Sequence, residues 1–261
     1  MHVSRIIISA LWILFLGITL SACGRSLSEG DLPAASGRYA TVTSDYPGVV
    51  MVIAPEGRGL CTGMIISEKA VLTAAHCLLT SGSYTVRTSA GTFITSTKQS
   101  NGPGTVNDTN DIGILIFAES IISEESEIIG FGSQAAEGDT VKIVGFGCNS
   151  VETRTGTGVK REGSNIISEK SSDYMTLITP KSTANRNIIG DSNQSGTCFG
   201  DSGGPMLKKV AGTYKLIGVT HAGGSTSSYY FSEFVNVVDN ASNRNFVRNV
   251  ASNYSLSVSG L

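Results

Sequence analysis

Charge is scarce in this chain. Asp, Glu, Lys and Arg make up 15% of its 261 residues, the formal net charge is -2, and no long run of one sign occurs. A nucleic-acid partner calls for a basic patch, so that function class is set aside. Histidine is scarcer still: of three, His2 lies in an apolar N-terminal stretch, which leaves His76 and His221. Neither stands at metal-ligand spacing from a cysteine pair, and neither a metal nor an organic cofactor is expected. No segment repeats with a fixed period, which argues against repeat architectures. Long hydrophobic runs are also missing after Leu20, and the run from Ile6 to Leu20 is short for a bilayer-spanning helix.

That first run has a basic Arg5 before it and the small residues Ser21 and Ala22 after it, the layout of a secretory signal. Leu20-Ser21-Ala22-Cys23 resembles the lipobox of bacterial lipoproteins, which implies cleavage before Cys23 and lipid modification of that residue. A plain cleaved signal and an uncleaved anchor are the alternatives. Five cysteines are an odd number for an exported chain, and setting Cys23 aside leaves Cys61, Cys77, Cys148 and Cys198. Four cysteines allow about three connectivities, among which sequence alone does not choose. The polar stretch after Cys23 has too few apolar residues to fold by itself and reads as a tether.

From there on the pattern is β. Short apolar or alternating runs broken by Gly, Asn, Ser and Pro predict strands over 48–54, 61–67, 70–73, 92–97, 111–117, 140–145, 174–179, 204–207, 214–220 and 229–237. Only the end reads as a helix, opened by Ala241 or Ser242 with Phe246, Val247 and Val250 on one face. Many short strands between frequent turns suggest a barrel or a sandwich.

One stretch carries chemistry. In "GTCFGDSGGP", Gly196 to Pro205, Ser202 stands among glycines that would let backbone N–H groups approach a reacting carbonyl. A serine hydroxyl needs a base to become a nucleophile. His76, at the end of "AVLTAAHC", follows a predicted strand, and Asp111 in "TNDIGILIF" sits just before another, where it can be buried and orient the imidazole; Asp108 is its rival in the same loop. The pattern Gly200-x-Ser202-x-Gly204 also fits a nucleophile elbow, but an elbow needs a helix after its serine, and Gly203-Gly204-Pro205 resists one.

"TAAHC", "NDIGIL" and "GDSGGP", in this order and at similar spacings, resemble the three active-site motifs of trypsin-like, chymotrypsin-fold serine proteases over nearly the whole chain from about Ala34. The resemblance implies an all-β fold of two antiparallel six-stranded β-barrels with a C-terminal α-helix. It implies Ser202 as nucleophile, His76 as general base and then acid, Asp111 as orienting carboxylate, and the N–H groups of Gly200 and Ser202 as the oxyanion hole. Cys61 and Cys77 match a family disulfide. Cys198 stands before the nucleophile as in the family, its usual partner is missing, and a Cys148–Cys198 bridge is expected instead.

The sequence also departs from the family. Asp201 matches the aspartate that pairs with a newly cut Ile or Val terminus, but Ala34-Ala35-Ser36-Gly37 stands where that terminus is usual, and processing is expected near Gly30–Arg38. Gly196 occupies the floor of the primary pocket, where an aspartate would select Arg or Lys. Substrate contacts are expected from Gly196, Thr197, His221, Ala222 and Gly223, with the backbone of the last three pairing with a peptide strand. Thr197 with His221 resembles the pair found in glutamate-specific members. The register puts Thr220 inward and His221 on the other face, and the second reading packs His221 near Asp111 or the cleft wall.

The expected organisation is a lipoprotein-type signal peptide over 1–22, a tether or propeptide over 23–37 and a protease domain over 38–261. Within the last, the first barrel spans about 38–125, the second about 126–240 and the helix about 241–254. The expected function is a serine endopeptidase of non-tryptic specificity, small or apolar with glutamate as the variant. A catalytically silent protease-like binding module and an esterase-like serine hydrolase are the alternatives. A monomer is expected, exported to a bacterial cell envelope and either held by its lipid in the outer membrane, as Gly24 after Cys23 suggests, or released to the periplasm or beyond.

Overall fold

A computed structural model describes residues 41–105, 108–151, 153–180 and 195–261. The signal peptide, Cys23, the tether and the Ala34–Gly37 segment lie outside them. Among the described residues there are strands β1 (Thr41–Val42), β2 (Val49–Ile53), β3 (Leu60–Ser67), β4 (Ala70–Thr73), β5 (Thr85–Thr88), β6 (Gly91–Ile94), β7 (Thr97–Ser100) and β8 (Gly113–Ile116). After them come β9 (Thr140–Gly145), β10 (Arg161–Lys170), β11 (Tyr174–Pro180), β12 (Pro205–Val210), β13 (Thr213–Ser225), β14 (Tyr229–Asn236) and helix α1 (Ala241–Asn253).

All the ladders are antiparallel, and they form two sheets. The first runs β6-β5-β2-β3-β4-β8-β7. It ends on two short edge strands that no ladder joins among the described residues, so this half is a half-barrel. The second runs β1-β10-β11-β14-β13-β12-β9, and an added pairing of β9 with β10 closes six of its strands into a barrel with β1 on the outside. The all-β, two-barrel architecture with its terminal helix is therefore present, with one half closed and the other open.

Burial on both faces explains why the core strands are continuous apolar runs rather than alternating ones. Val50, Ile65, Val71 and Leu115 fill the interior of the first half, while their neighbours Val49, Met64, Leu72 and Ile114 point the other way. Those neighbours join Val144, Leu207, Val219 and Val235 of the second half in one shared core, into which α1 inserts Val247 and Val250. Met175, Leu177, Ile217 and Phe234 fill the closed barrel. Strand side chains alternate faces, so each run serves two cores at once, and each buried Ile, Leu or Val contributes about 1.5–3 kcal/mol. The shared core locks the halves together, and the loops at its seam carry the site.

Candidate active site

β4 runs into a single 3-10 turn, Ala75–Leu78, that carries His76. Cys77 in this turn is bonded to Cys61 on β3, which ties the turn to the sheet. β4 pairs with β8 so that Thr73 faces Gly113, which brings the residues before β8 alongside the turn. Asp111 is there, fully buried. Its Oδ1 accepts the backbone N–H of His76 at 2.7 Å, and its Oδ2 lies 2.6 Å from His76 Nδ1. A second imidazole, His221 from β13, also places Nδ1 2.6 Å from Oδ2. Burial alone would push the Asp111 carboxyl up; hydrogen bonds from His221 and His76, with the His76 charge, outweigh it and hold the group below the usual carboxylate range. Asp108 is buried too, but it accepts the N–H groups of Gly104 and Asn110 and so shapes its own loop.

Ser202 lies on the loop before β12. Its carbonyl oxygen accepts the Thr62 N–H at 2.9 Å and lies 3.6 Å from the Sγ of Cys77, the residue next to His76. The Ser202 loop and the His76 turn therefore meet at the seam. The glycine after Ser202 has a plain steric cause. Gly203 has φ +80°, and a Cβ there would overlap the Thr73 hydroxyl and the Thr62 carbonyl. Thr62, on β3, is a hub that sequence reasoning missed: its hydroxyl donates to the Gly200 carbonyl at 2.9 Å and accepts the Phe146 N–H at 3.0 Å. Nothing local in "LCTGMIIS" marks it, because its partners are 138 and 84 residues away.

Asp201 turns its carboxylate inward. It accepts the Gly147 N–H at 2.7 Å and the Cys198 N–H at 2.8 Å, in space that a Cβ on Gly145 or Gly147 would fill. Burial raises its pKa to about 6, although these two bonds and the Arg161 guanidinium pull it down. Arg161 spends its donors on the carbonyls of Gly147, Gly156 and Val159. Cys148 is bonded to Cys198, so the loops on either side of Asp201 are joined covalently as well.

Beside this loop lies Gly196, whose nearest neighbours are hydroxyls. A Cβ on Gly196 would come within 2.8 Å of Thr179 Oγ1 and 3.3 Å of Ser232 Oγ, and Ser232 Oγ accepts the Thr197 N–H at 2.8 Å. The buried Thr179 hydroxyl has no hydrogen-bond partner among the described residues. Thr197 Oγ1 faces Gly223 across the same space. His221 does not join these hydroxyls; its ring sits on Asp111, stacked against Tyr174 with ring centroids 5.5 Å apart. Phe199, before Gly200, is more than half exposed and is covered in part by the Arg154 guanidinium.

Two antiparallel β halves with a His–Asp couple at their seam and a serine loop facing it define the chymotrypsin-like class of serine proteases. The family model described as Trypsin matches residues 36–243, and the chain belongs to that family of serine endopeptidases. Among curated relatives, trypsin beta of Drosophila erecta is 26% identical over 246 residues, covering 87% of this chain and 95% of its own. A trypsin of Saccharopolyspora erythraea is 26% identical over 197 residues, covering 69% and 82%. Solved structures share the fold: human heparin binding protein at TM-score 0.66 and 18% identity, covering 85% of this chain and 98% of its own. A Glu endopeptidase does so at 0.61 and 17%, covering 82% and 97%.

Proposed function

We propose that the chain cleaves peptide bonds through an acyl-enzyme on Ser202. His76 takes the hydroxyl proton at Nε2 and returns it to the leaving amine. Asp111 holds Nδ1–H and stabilises the imidazolium, and the N–H groups of Gly200 and Ser202 bind the oxyanion. The observation that carries this reading is the 2.6 Å contact of His76 Nδ1 with a fully buried carboxylate, one residue from the point where the nucleophile loop packs on Cys77. A fluorophosphonate reagent should label the active protein at Ser202, and Ser202→Ala should abolish labelling and lower kcat by about a millionfold. Labelling elsewhere, or an unlabelled protein, favours the silent binding module; ester turnover without peptide turnover favours the esterase.

Specificity is non-tryptic in this reading. The groups nearest Gly196 are the hydroxyls of Thr179 and Ser232, and the Asp201 carboxylate that lines the same cavity already accepts two backbone N–H groups, so an Arg or Lys side chain would lose its water for little counter-charge. Small or apolar residues are the substrates, bound along the backbone of His221, Ala222 and Gly223. Glutamate is the weaker variant, because the His221 ring is engaged at Asp111 and not at the floor.

The two disulfides suit an exported, extracellular setting, and no helix among the described residues is long and apolar enough to cross a membrane. We assign 1–22 to signal, Cys23 to lipidation in a bacterial envelope, 23–37 to tether or propeptide and 38–261 to a monomeric protease domain. Processing near Gly30–Arg38 would free a terminus for Asp201. A cavity of about 40 Å³ lined by Gly145, Gly147, Arg161, Gly196 and Asp201 adjoins that carboxylate, and its size suits a small side chain such as alanine.

A further inference from the structure

Asp111 serves two imidazoles through one oxygen. Oδ2 is 2.6 Å from His76 Nδ1 and 2.6 Å from His221 Nδ1, while Oδ1 is taken by the His76 backbone N–H. An ionised carboxylate oxygen can only accept, so both rings carry their proton on Nδ1. The two rings differ in access. The His76 side chain is 27% exposed, whereas that of His221 is 2% exposed. The ring centroids are 6.3 Å apart at 66°.

A bulge puts His221 there. Along β13 the pairing with β14 slips between Thr220 and Ala222, so the residue between them is not bound by strict alternation. Thr220 turns its hydroxyl onto the Gly204 carbonyl at 3.0 Å, and His221 turns inward as well. Tyr174 on β11 closes the other side of the ring at 24° to its plane. The titratable and charged groups that face His221 among the described residues include Asp111 and His76 from the first half and Tyr174 from the second. Glu233, Asp108 and Asp173 act on the Tyr174 hydroxyl, which burial first and these carboxylates next push up to about 12.

We infer that His221 is a positioning residue of the proton relay: it clamps the Asp111 carboxylate from behind and takes a share of its charge. That share sets how strongly Asp111 supports the imidazolium that forms on His76. This rests on the protease reading above, and it goes beyond it by giving the buried histidine a part in rate and pH dependence. A hydrogen-bond donor on a buried carboxylate draws charge toward itself, so less remains for the second donor.

Proton NMR of the unliganded protein with 15N-labelled histidine tests the pairing without reference to activity. Two low-field exchangeable protons, each attached to an imidazole Nδ1, are expected, and a single one overturns the inference even if the protein is a protease. Kinetics tests the role. His221→Leu should retain one such proton, lower kcat by about 10-fold or more with KM changed far less, and move the acid limb of kcat/KM to higher pH. His221→Asn, which keeps an N–H near the same place, should restore most of the rate and the original limb. Unchanged kcat and pH profile in His221→Leu overturns the role. Should His221→Leu not fold, the wild-type spectrum and His221→Asn still decide: an Asn variant that folds but loses both rate and profile counts against a donor-based role. A wild-type protein that shows both protons but no hydrolysis sinks the protease reading alone.

Discussion

Thr62 shows how much of an active site can hang on one side chain far from the reacting atoms. Its N–H holds the Ser202 carbonyl, and its hydroxyl joins the Gly200 carbonyl to the Phe146 N–H. Thr62→Val keeps the volume and the N–H but leaves two part-buried backbone groups without their partner, a cost of about 1 kcal/mol or somewhat more. Urea unfolding should register that loss, and kcat should fall more than KM rises, since Gly200 is a proposed oxyanion residue. Retention of full kcat would show that the oxyanion loop is held by the Cys148–Cys198 bridge and Asp201 instead. Gly203 is legible in the sequence as part of a glycine cluster, yet its reason, the Thr73 hydroxyl and Thr62 carbonyl in its Cβ space, exists only in the fold.

Helix α1 acts as a brace. Asn240 caps it by accepting the Asn243 N–H, and the fully buried Asn243 side chain donates to the carbonyls of Thr109 and Asn236 while accepting from Asn101. Thr109 is two residues from Asp111, so the helix steadies the acid loop. Asn243→Leu should lower stability by roughly 1–3 kcal/mol through the groups it strands. It should also slow turnover at a temperature where the protein is still folded; a loss of stability with normal kcat would confine the helix to packing. The sequence pattern places this helix, and most of the strands, because their apolar residues recur at the right period. It misses β1, β5 and β10: "TV" and "TVRT" are short and "REGSNIISEK" is polar, and pairing with β10, β2 and β9 in turn supplies what local propensity does not. The predicted strand 92–97 straddles β6 and β7, which are separate edge strands.

At the scale of the molecule, the shared core of Met64, Leu72, Ile114, Val144, Leu207 and Val219 joins the two halves. Asp201 is held within the second half, by Gly147, Cys198 and Arg161. Its folded pKa of about 6 lies above the ordinary carboxylate value, so its contribution to stability is present below about pH 4 and is lost as pH rises through about 6. The full-length chain should show this loss in thermal unfolding across that window, and Asp201→Asn should flatten it. Chain cut near Gly30–Arg38, with an ammonium at the carboxylate, should lose the feature. A window unchanged by both manipulations would remove Asp201 from the activation scheme and assign the titration to other carboxylates.

By itself the sequence determined the family's motifs and their order: a serine between glycines, a histidine after a strand, an aspartate before one, and cysteines enough to pin the loops. These are legible because each is a local pattern, a residue type at a strand end or turn, that tertiary packing has little freedom to revise. Tertiary structure alone decided which groups share a partner. The two imidazoles on one carboxylate oxygen are 35 and 110 residues from it, and the Thr62 hydroxyl is 138 residues from Gly200. A one-residue bulge in β13 turns His221 to the buried side, and no alternation rule read along the chain can place such a slip, because the register that creates it belongs to the neighbouring strand.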